Sequence, residues 1–391
     1  MTAPYDVAVV GLGALGSAAA WQSARRGLRV IGFDRYPLGH VNGASHGDSR
    51  IIRLSYHTPA YVRSAAAAYA AWAELEVESG QRLITPCGGA DIFPPGAAIN
   101  SDDYTTSLDA VGVEYDVLDP VASAARWPGL AVPDGSTVLH QADTGIVAAG
   151  LGVRVLQRQA RLRGADLREH CPVSLVRETA DGEGVLVRTA DGEQYRAGHV
   201  VVAADSWTNQ VLPETSVPLT TTQEYVVHFA VPPRSHEVGS FPVWIWMDDP
   251  SYYGFPSYGE DSVKVGQDCG GQEIDPDHRP SLSAEDDTEY LARLAAFVRR
   301  TVPRAGPPIR STRCLYTLTP DRDFVLGPLP GHPRVLVALG AAHGFKFAPW
   351  FGAALADLVQ TGETALEIGD FAVDRPALSS PAAAANRRWL T

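Results

Sequence analysis

The stretch Asp6-Val7-Ala8-Val9-Val10-Gly11-Leu12-Gly13-Ala14-Leu15-Gly16 decides the fold. Its apolar run, Val7 to Val10, reads as a strand buried on both faces of a parallel sheet. Gly11, Gly13 and Gly16 then fill the pattern G-x-G-x-x-G. The first glycine permits a tight turn, the second lets a pyrophosphate approach the backbone, and the third lets helix and strand pack closely. An Ala-rich helix from Ser17 to about Arg26 offers free N–H groups to phosphates. A second strand, Arg29 to Phe33, ends in Asp34, where an acidic side chain holds a ribose hydroxyl. Together these elements predict a dinucleotide site, without separating FAD from NAD.

The chain has 391 residues, enough for two intertwined domains with large cores. Its formal charge of -13 argues against a nucleic-acid partner. There is no apolar run of membrane-spanning length and no basic segment leading into an apolar one, so a cytoplasmic protein outside the membrane is expected. Cys87, Cys171, Cys269 and Cys314 are scattered without a C-x-x-C pair. No metal site or disulfide scaffold is expected, which leaves room for a single functional cysteine.

After Asp34 a loop rich in Gly, His, Asn and Ser runs into SHGDSRIIRLSYH, residues 45–57, beside the nucleotide fold. Arg50 and Arg53 are three apart and share a face if this stretch forms a helical turn. Helices are expected over Tyr61–Gly80, Gly145–Arg163 and Ala284–Val302. Ile84 to Phe93 reads as one glycine-interrupted strand, with Asp91 either exposed or facing a pocket. His199 to Ala204 (HVVVAA) reads as a strand returning to the first sheet. Pro218 to Asp268 is β-like and aromatic, and predicts a second, antiparallel sheet roofing the cofactor. Val335 to Leu339 is another buried strand before a Gly-rich turn into a helix. The expected class is α/β (α+β): a Rossmann-like nucleotide domain built from 1–80, 145–215 and 320–375, and a substrate domain from 81–144 and 216–319. Residues 376–391 read as a loosely held tail.

GLGALG with Asp34, SHGDSRIIR, RWPG, YYGFP with the following VKVG, CLYTLTPDRDFVLG, AAHGFKF and DRPAL follow one another in a telling order. From Tyr5 to Leu378 the chain resembles the monomeric sarcosine oxidase and N-methyltryptophan oxidase family of D-amino-acid oxidase-like flavoproteins. The resemblance implies FAD, held by Gly11, Gly13, Gly16, Asp34, Ser45, Ser49 and the backbone at Gly344 and Phe345. Cys314 matches the cysteine that bonds the flavin through a thioether, and Lys264 matches the oxygen-activating lysine. Arg53 and Lys346 match the pair that grips the substrate carboxylate. Arg50 matches the arginine beside the flavin ring, and Tyr253 and Tyr316 match aromatic positions lining the substrate space.

His343 keeps its place before Gly344. Asp268 stands where the family has His or Asn, which favours a cationic amine or supplies a base. Trp244 and Trp246 replace smaller residues and are expected to reshape the pocket, and Gln223-Glu224 replaces an arginine-containing pair. The resemblance implies a monomeric oxidase of an N-methyl or cyclic amino acid: hydride passes to flavin, an imine forms, and O2 becomes H2O2. A cyclic imino-acid oxidase, a dehydrogenase of the same fold, an oxidase of a carrier-linked amine and a non-enzymatic flavin-fold binding protein are the alternatives.

Overall fold

The computed structural model describes residues 5–212, 216–279 and 284–379, with side chains throughout except at 284–287. Strand Tyr5–Val10 pairs in parallel with Val30–Phe33 on one side and Gln194–Val202 on the other. Asp166–Arg168 and His332–Leu339 extend the parallel run, and three antiparallel strands complete an eight-stranded sheet. Val7–Val10, Val200–Val202 and Val335–Leu339 are buried on both faces, as their unbroken apolar runs require. Helices Ala14–Arg25, Ala149–Leu162 and Ala348–Thr361 pack beside it. The first and last approach closely because their contact is made of small residues. A Cβ at Gly352 would lie 2.5 Å from the Ala18 carbonyl oxygen.

A second sheet of nine strands is built around Thr220–Ala230, which pairs antiparallel with Ser262–Gln267 and Pro308–Leu318. It contains one parallel pair, Val243–Trp246 with Gly89–Phe93. Helix Ala284–Thr301 covers one face, and its Phe297 stacks on Tyr252 at 3.8 Å between ring centroids. The first sheet thus draws its strands from 5–33, 166–202 and 325–339, and the second from 89–141 and 220–318. The segment after Gln272–Glu273 reaches back to the nucleotide fold. There the Asp277 carboxylate pairs with Arg35 at 3.0 Å and accepts from Trp207 Nε1 at 2.8 Å and Gln210 Nε2 at 2.6 Å.

Three local expectations are corrected. Arg50–Ile52 is a strand, not a helical turn, because it pairs antiparallel with Gly145–Val147. Arg50 and Arg53 therefore do not share a helix face. The expected strand Ile84–Phe93 breaks at Gly88, whose φ is 76°. Ile84–Pro86 joins a small third sheet with Arg50–Ile52 and Gly145–Val147, and Gly89–Phe93 joins the second. The helix expected from Gly145 begins only at Ala149, because Gly145–Val147 is the middle strand of that small sheet. Of the expected tail, Pro376–Ser379 forms a helical turn that buries Leu378, and 380–391 lie outside the described residues. Among the described residues no helix is long and apolar enough to cross a membrane.

Candidate active site

The glycine turn is tight for identifiable reasons. Gly11 has φ 91°, and a Cβ there would lie 2.4 Å from the Ala203 carbonyl oxygen. A Cβ at Gly16 would lie 1.8 Å from the Gly11 carbonyl oxygen, so strand and helix meet only without side chains. The Asp34 carboxylate accepts from the backbone N–H of Leu12 and of Tyr36, both at 2.9 Å, and so pins this turn to the end of the second strand. Ser45 Oγ accepts from Ala14 N at 2.9 Å, at the start of the helix.

From this turn a cavity of about 1540 Å³, its mouth included, runs past the 45–53 loop to the strands Thr220–Ala230 and Pro308–Leu318. Among the described residues no cluster of His, Cys, Asp and Glu is arranged to hold a metal ion.

The cavity brings most of the sequence-derived residues together. Lys264 Nζ donates to the Ser49 carbonyl at 2.8 Å and to Ser49 Oγ at 2.9 Å, and lies 4.3 Å from the Phe255 ring centre. Burial, and then Arg50, hold its ammonium well below the usual lysine range. Arg50 donates to the carbonyls of Ala44 and Ser49 at 2.7 and 3.0 Å and lies over the Phe345 ring. Cys314, Tyr253 and Tyr316 line the same wall. Burial pushes the Cys314 thiol up to about 11. Across the ladder from Cys314 lies Glu224, pushed up to about 7 by burial, with Thr222 Oγ1 donating to it at 2.6 Å.

At the far end stand Arg53 and Lys346. Arg53 is 1 % exposed, lies over the Tyr56 ring at 4.7 Å and pairs with Asp91 at 3.3 Å; its Nε and Nη2 find no hydrogen-bond partner among the described residues. Asp91 is therefore neither exposed nor on the cavity wall, but buried behind the arginine it balances. Lys346 donates to the His343 carbonyl at 3.1 Å and has no carboxylate within ion-pair distance among the described residues. Burial, and then the neighbouring Arg53, push it down to about 7. The His343 ring lines the cavity. Its Nε2 lies 3.0 Å from the Arg322 carbonyl, so Nε2 carries the proton and donates. Burial, and then Lys346, keep this ring neutral by holding it well below the usual histidine range.

Two expectations change here. Trp244 does not touch the cavity. It is fully buried on the opposite face of its strand against Phe297, and Ile245 faces the cavity instead. Trp246 packs on Phe297 too, because residues two apart in a strand share a face. Asp268 does line the cavity, but its carboxylate is already paired with Arg322 Nη2 at 2.8 Å. Sequence reading missed Arg322; the acidic Asp268 in place of His or Asn was the one signal that could have prompted a search for its partner.

Residues 6–358 match the family described as FAD dependent oxidoreductase. The chain belongs to this family. Its glycine cradle fits an FAD, so it is a flavin-dependent oxidoreductase. It is 31 % identical to the N-methyl-L-tryptophan oxidase of Citrobacter koseri over 95 % of this chain and 99 % of that one. It is 30 % identical to the monomeric sarcosine oxidase of Bacillus sp. strain NS-129 over 98 % of this chain and all of that one. Among solved structures it superposes on NikD, an unusual amino acid oxidase essential for nikkomycin biosynthesis, with a TM-score of 0.82 and 28 % identity, covering 95 % of this chain and 98 % of that one.

Proposed function

We propose that the chain is a monomeric, cytoplasmic oxidase of a secondary amino acid, N-methylated or cyclic, with FAD bound covalently through Cys314 and O2 as acceptor. The nucleotide domain would comprise 1–80, 145–215 and 320–375, and the substrate domain 81–144 and 216–319. The observation that carries the substrate class is the pair Arg53 and Lys346 at the closed end of the cavity. Asp91 balances one of these cations, and the other has no carboxylate within ion-pair distance among the described residues. One substrate carboxylate supplies the missing charge.

FAD, when bound, would supply the hydride acceptor and the redox route to O2. The protein's own residues do the rest. Arg53 and Lys346 orient the carboxylate, which places the carbon beside the nitrogen toward the Tyr253–Tyr316 wall. His343, neutral, adds no competing charge. Lys264, anchored by Ser49, supplies a fixed donor beside the ring site, where negative charge develops during reoxidation. Cys314, which lines the same cavity, would tether the cofactor.

A second reading is a cyclic imino acid of the pipecolate or proline type; the likeness to NikD, an amino acid oxidase essential for a biosynthesis, favours placing the reaction in a specialised biosynthetic pathway. The test is the visible spectrum of the purified protein before and after acid precipitation, followed by a panel of N-methyl and cyclic amino acids scored for bleaching and peroxide. Yellow pellet, bleaching and peroxide are expected. Colour released to the supernatant removes the covalent link. Bleaching without peroxide in air leaves a dehydrogenase.

A further inference from the structure

The turn between strands Pro308–Leu318 and Val325–Leu329 holds Arg322 in a left-handed conformation, with φ 64°. Such a backbone is unusual for arginine and persists only where the surroundings fix it. Here they do. Asp321 on one side pairs with Arg375 at 2.7 Å, and Asp323 on the other accepts from Tyr61 at 2.7 Å. Arg322 is thereby driven inward and is only 5 % exposed. Its carbonyl accepts a hydrogen bond from His343 Nε2, and its guanidinium donates to the Asp268 carboxylate. Nε and Nη1 find no partner, so Asp268 is the one group that balances this charge among the described residues. One residue that does not line the cavity thus fixes two that do.

We propose that Arg322 is the specificity-determining positioning residue of this site: by neutralising Asp268 it makes the cavity accept a neutral, N–H-bearing nitrogen and discriminate against an ammonium. This rests on the amino-acid oxidase reading above. An unpaired carboxylate on that wall attracts a cation and holds an amine protonated, which withholds the nitrogen lone pair that oxidation to an imine needs. A carboxylate already matched by a guanidinium still accepts a hydrogen bond but carries little net charge toward a ligand. The other groups near Asp268 do not alter this balance. Burial raises Tyr316 and Cys269, so both stay neutral near pH 7; Glu224, raised to about 7, can add only negative charge, and Lys346 is the one lysine whose charge Asp268 feels, with Arg322 alone within ion-pair distance of it among the described residues.

The flavin-loaded protein is titrated with benzoate and with benzylamine below its own ionisation, following the flavin spectrum, and the ratio of the two Kd values is taken. Arg322→Met is expected to shift the ratio at least tenfold toward benzylamine. Asp268→Asn is expected to shift it at least tenfold toward benzoate, and the double variant to return within about threefold of the parent. A purely structural role for Arg322 gives no opposed shifts and no restoration. Single variants that move the ratio in the same direction, or leave it unchanged, overturn the proposal. If Arg322→Met does not fold, Arg322→Gln takes its place with the same expected shift and the same overturning results. A parent protein that is not bleached by any N-methyl or cyclic amino acid fails on the underlying reading; a bleached parent with unmoved variants fails on Arg322 alone.

Discussion

Binding of a simple carboxylate should weaken as pH rises through 7, and Lys346 is the cause. In the free protein this lysine is held down to about 7 by burial and by Arg53. A carboxylate placed beside it restores a counter-charge and lifts it toward the ordinary value of about 10.4. Binding therefore takes up a proton. Affinity is fully present below about 7, declines above it by up to tenfold per pH unit, and levels off only near the bound lysine's own value. Between pH 6.5 and 8.5 the protonated fraction of free Lys346 falls about 25-fold, equivalent to roughly 2 kcal/mol of binding free energy. Benzoate is a suitable probe because it has no amine to titrate, and its Kd can be read from the flavin spectrum. Lys346→Met should bind weakly with a flat profile. Glu224 is also pushed to about 7, so Glu224→Gln serves as the control and should keep the slope. His343 is too low to titrate in this window. A flat parent profile, or a slope that survives in Lys346→Met, refutes the reasoning.

Lys264→Met should slow flavin reoxidation in air far more than flavin reduction by substrate in stopped flow; equal slowing would remove its assigned role. Cys314→Ser should release its yellow colour to the supernatant on acid treatment, while the parent retains it in the pellet. Gly16→Ala must displace the Gly11 carbonyl, so it should cost at least about 1–3 kcal/mol and lose FAD, read as a lowered Tm and a colourless protein. Trp244→Ala should cost about 3–5 kcal/mol in denaturant unfolding with little change in substrate ranking, since its ring packs on Phe297 away from the cavity.

The nucleotide half was legible because its signals are local. A strand, three glycines and Asp34 lie within one short stretch; a Cβ at Gly11 or Gly16 would strike backbone, and one at Gly13 would strike the Ser45 hydroxyl. Most of the cavity residues were reachable from motif order alone. What escaped depended on distant pairing. Arg50–Ile52 becomes a strand only because Gly145–Val147 arrives beside it, and nothing in RIIR distinguishes that from a turn. Val-Trp-Ile-Trp at 243–246 is apolar at every position, so alternation could not say which face meets the cavity. Asp91 and Arg53 find each other across two elements, as do Asp268 and Arg322. Both pairs are buried charges whose partners no spacing rule connects.

The interleaving of the two sheets sets a condition on chimeras. The passages 89–141 and 220–318 would have to be transplanted together to carry this chain's substrate preference into another scaffold, since both contribute strands to the same sheet. Asp91 travels on the first passage and Asp268 on the second, while Arg53 and Arg322 lie outside both. A graft into a host that lacks arginines at those two positions strands two carboxylates in the interior. Diversification of this scaffold by recombination is therefore constrained to exchanges in which acid and base are inherited jointly.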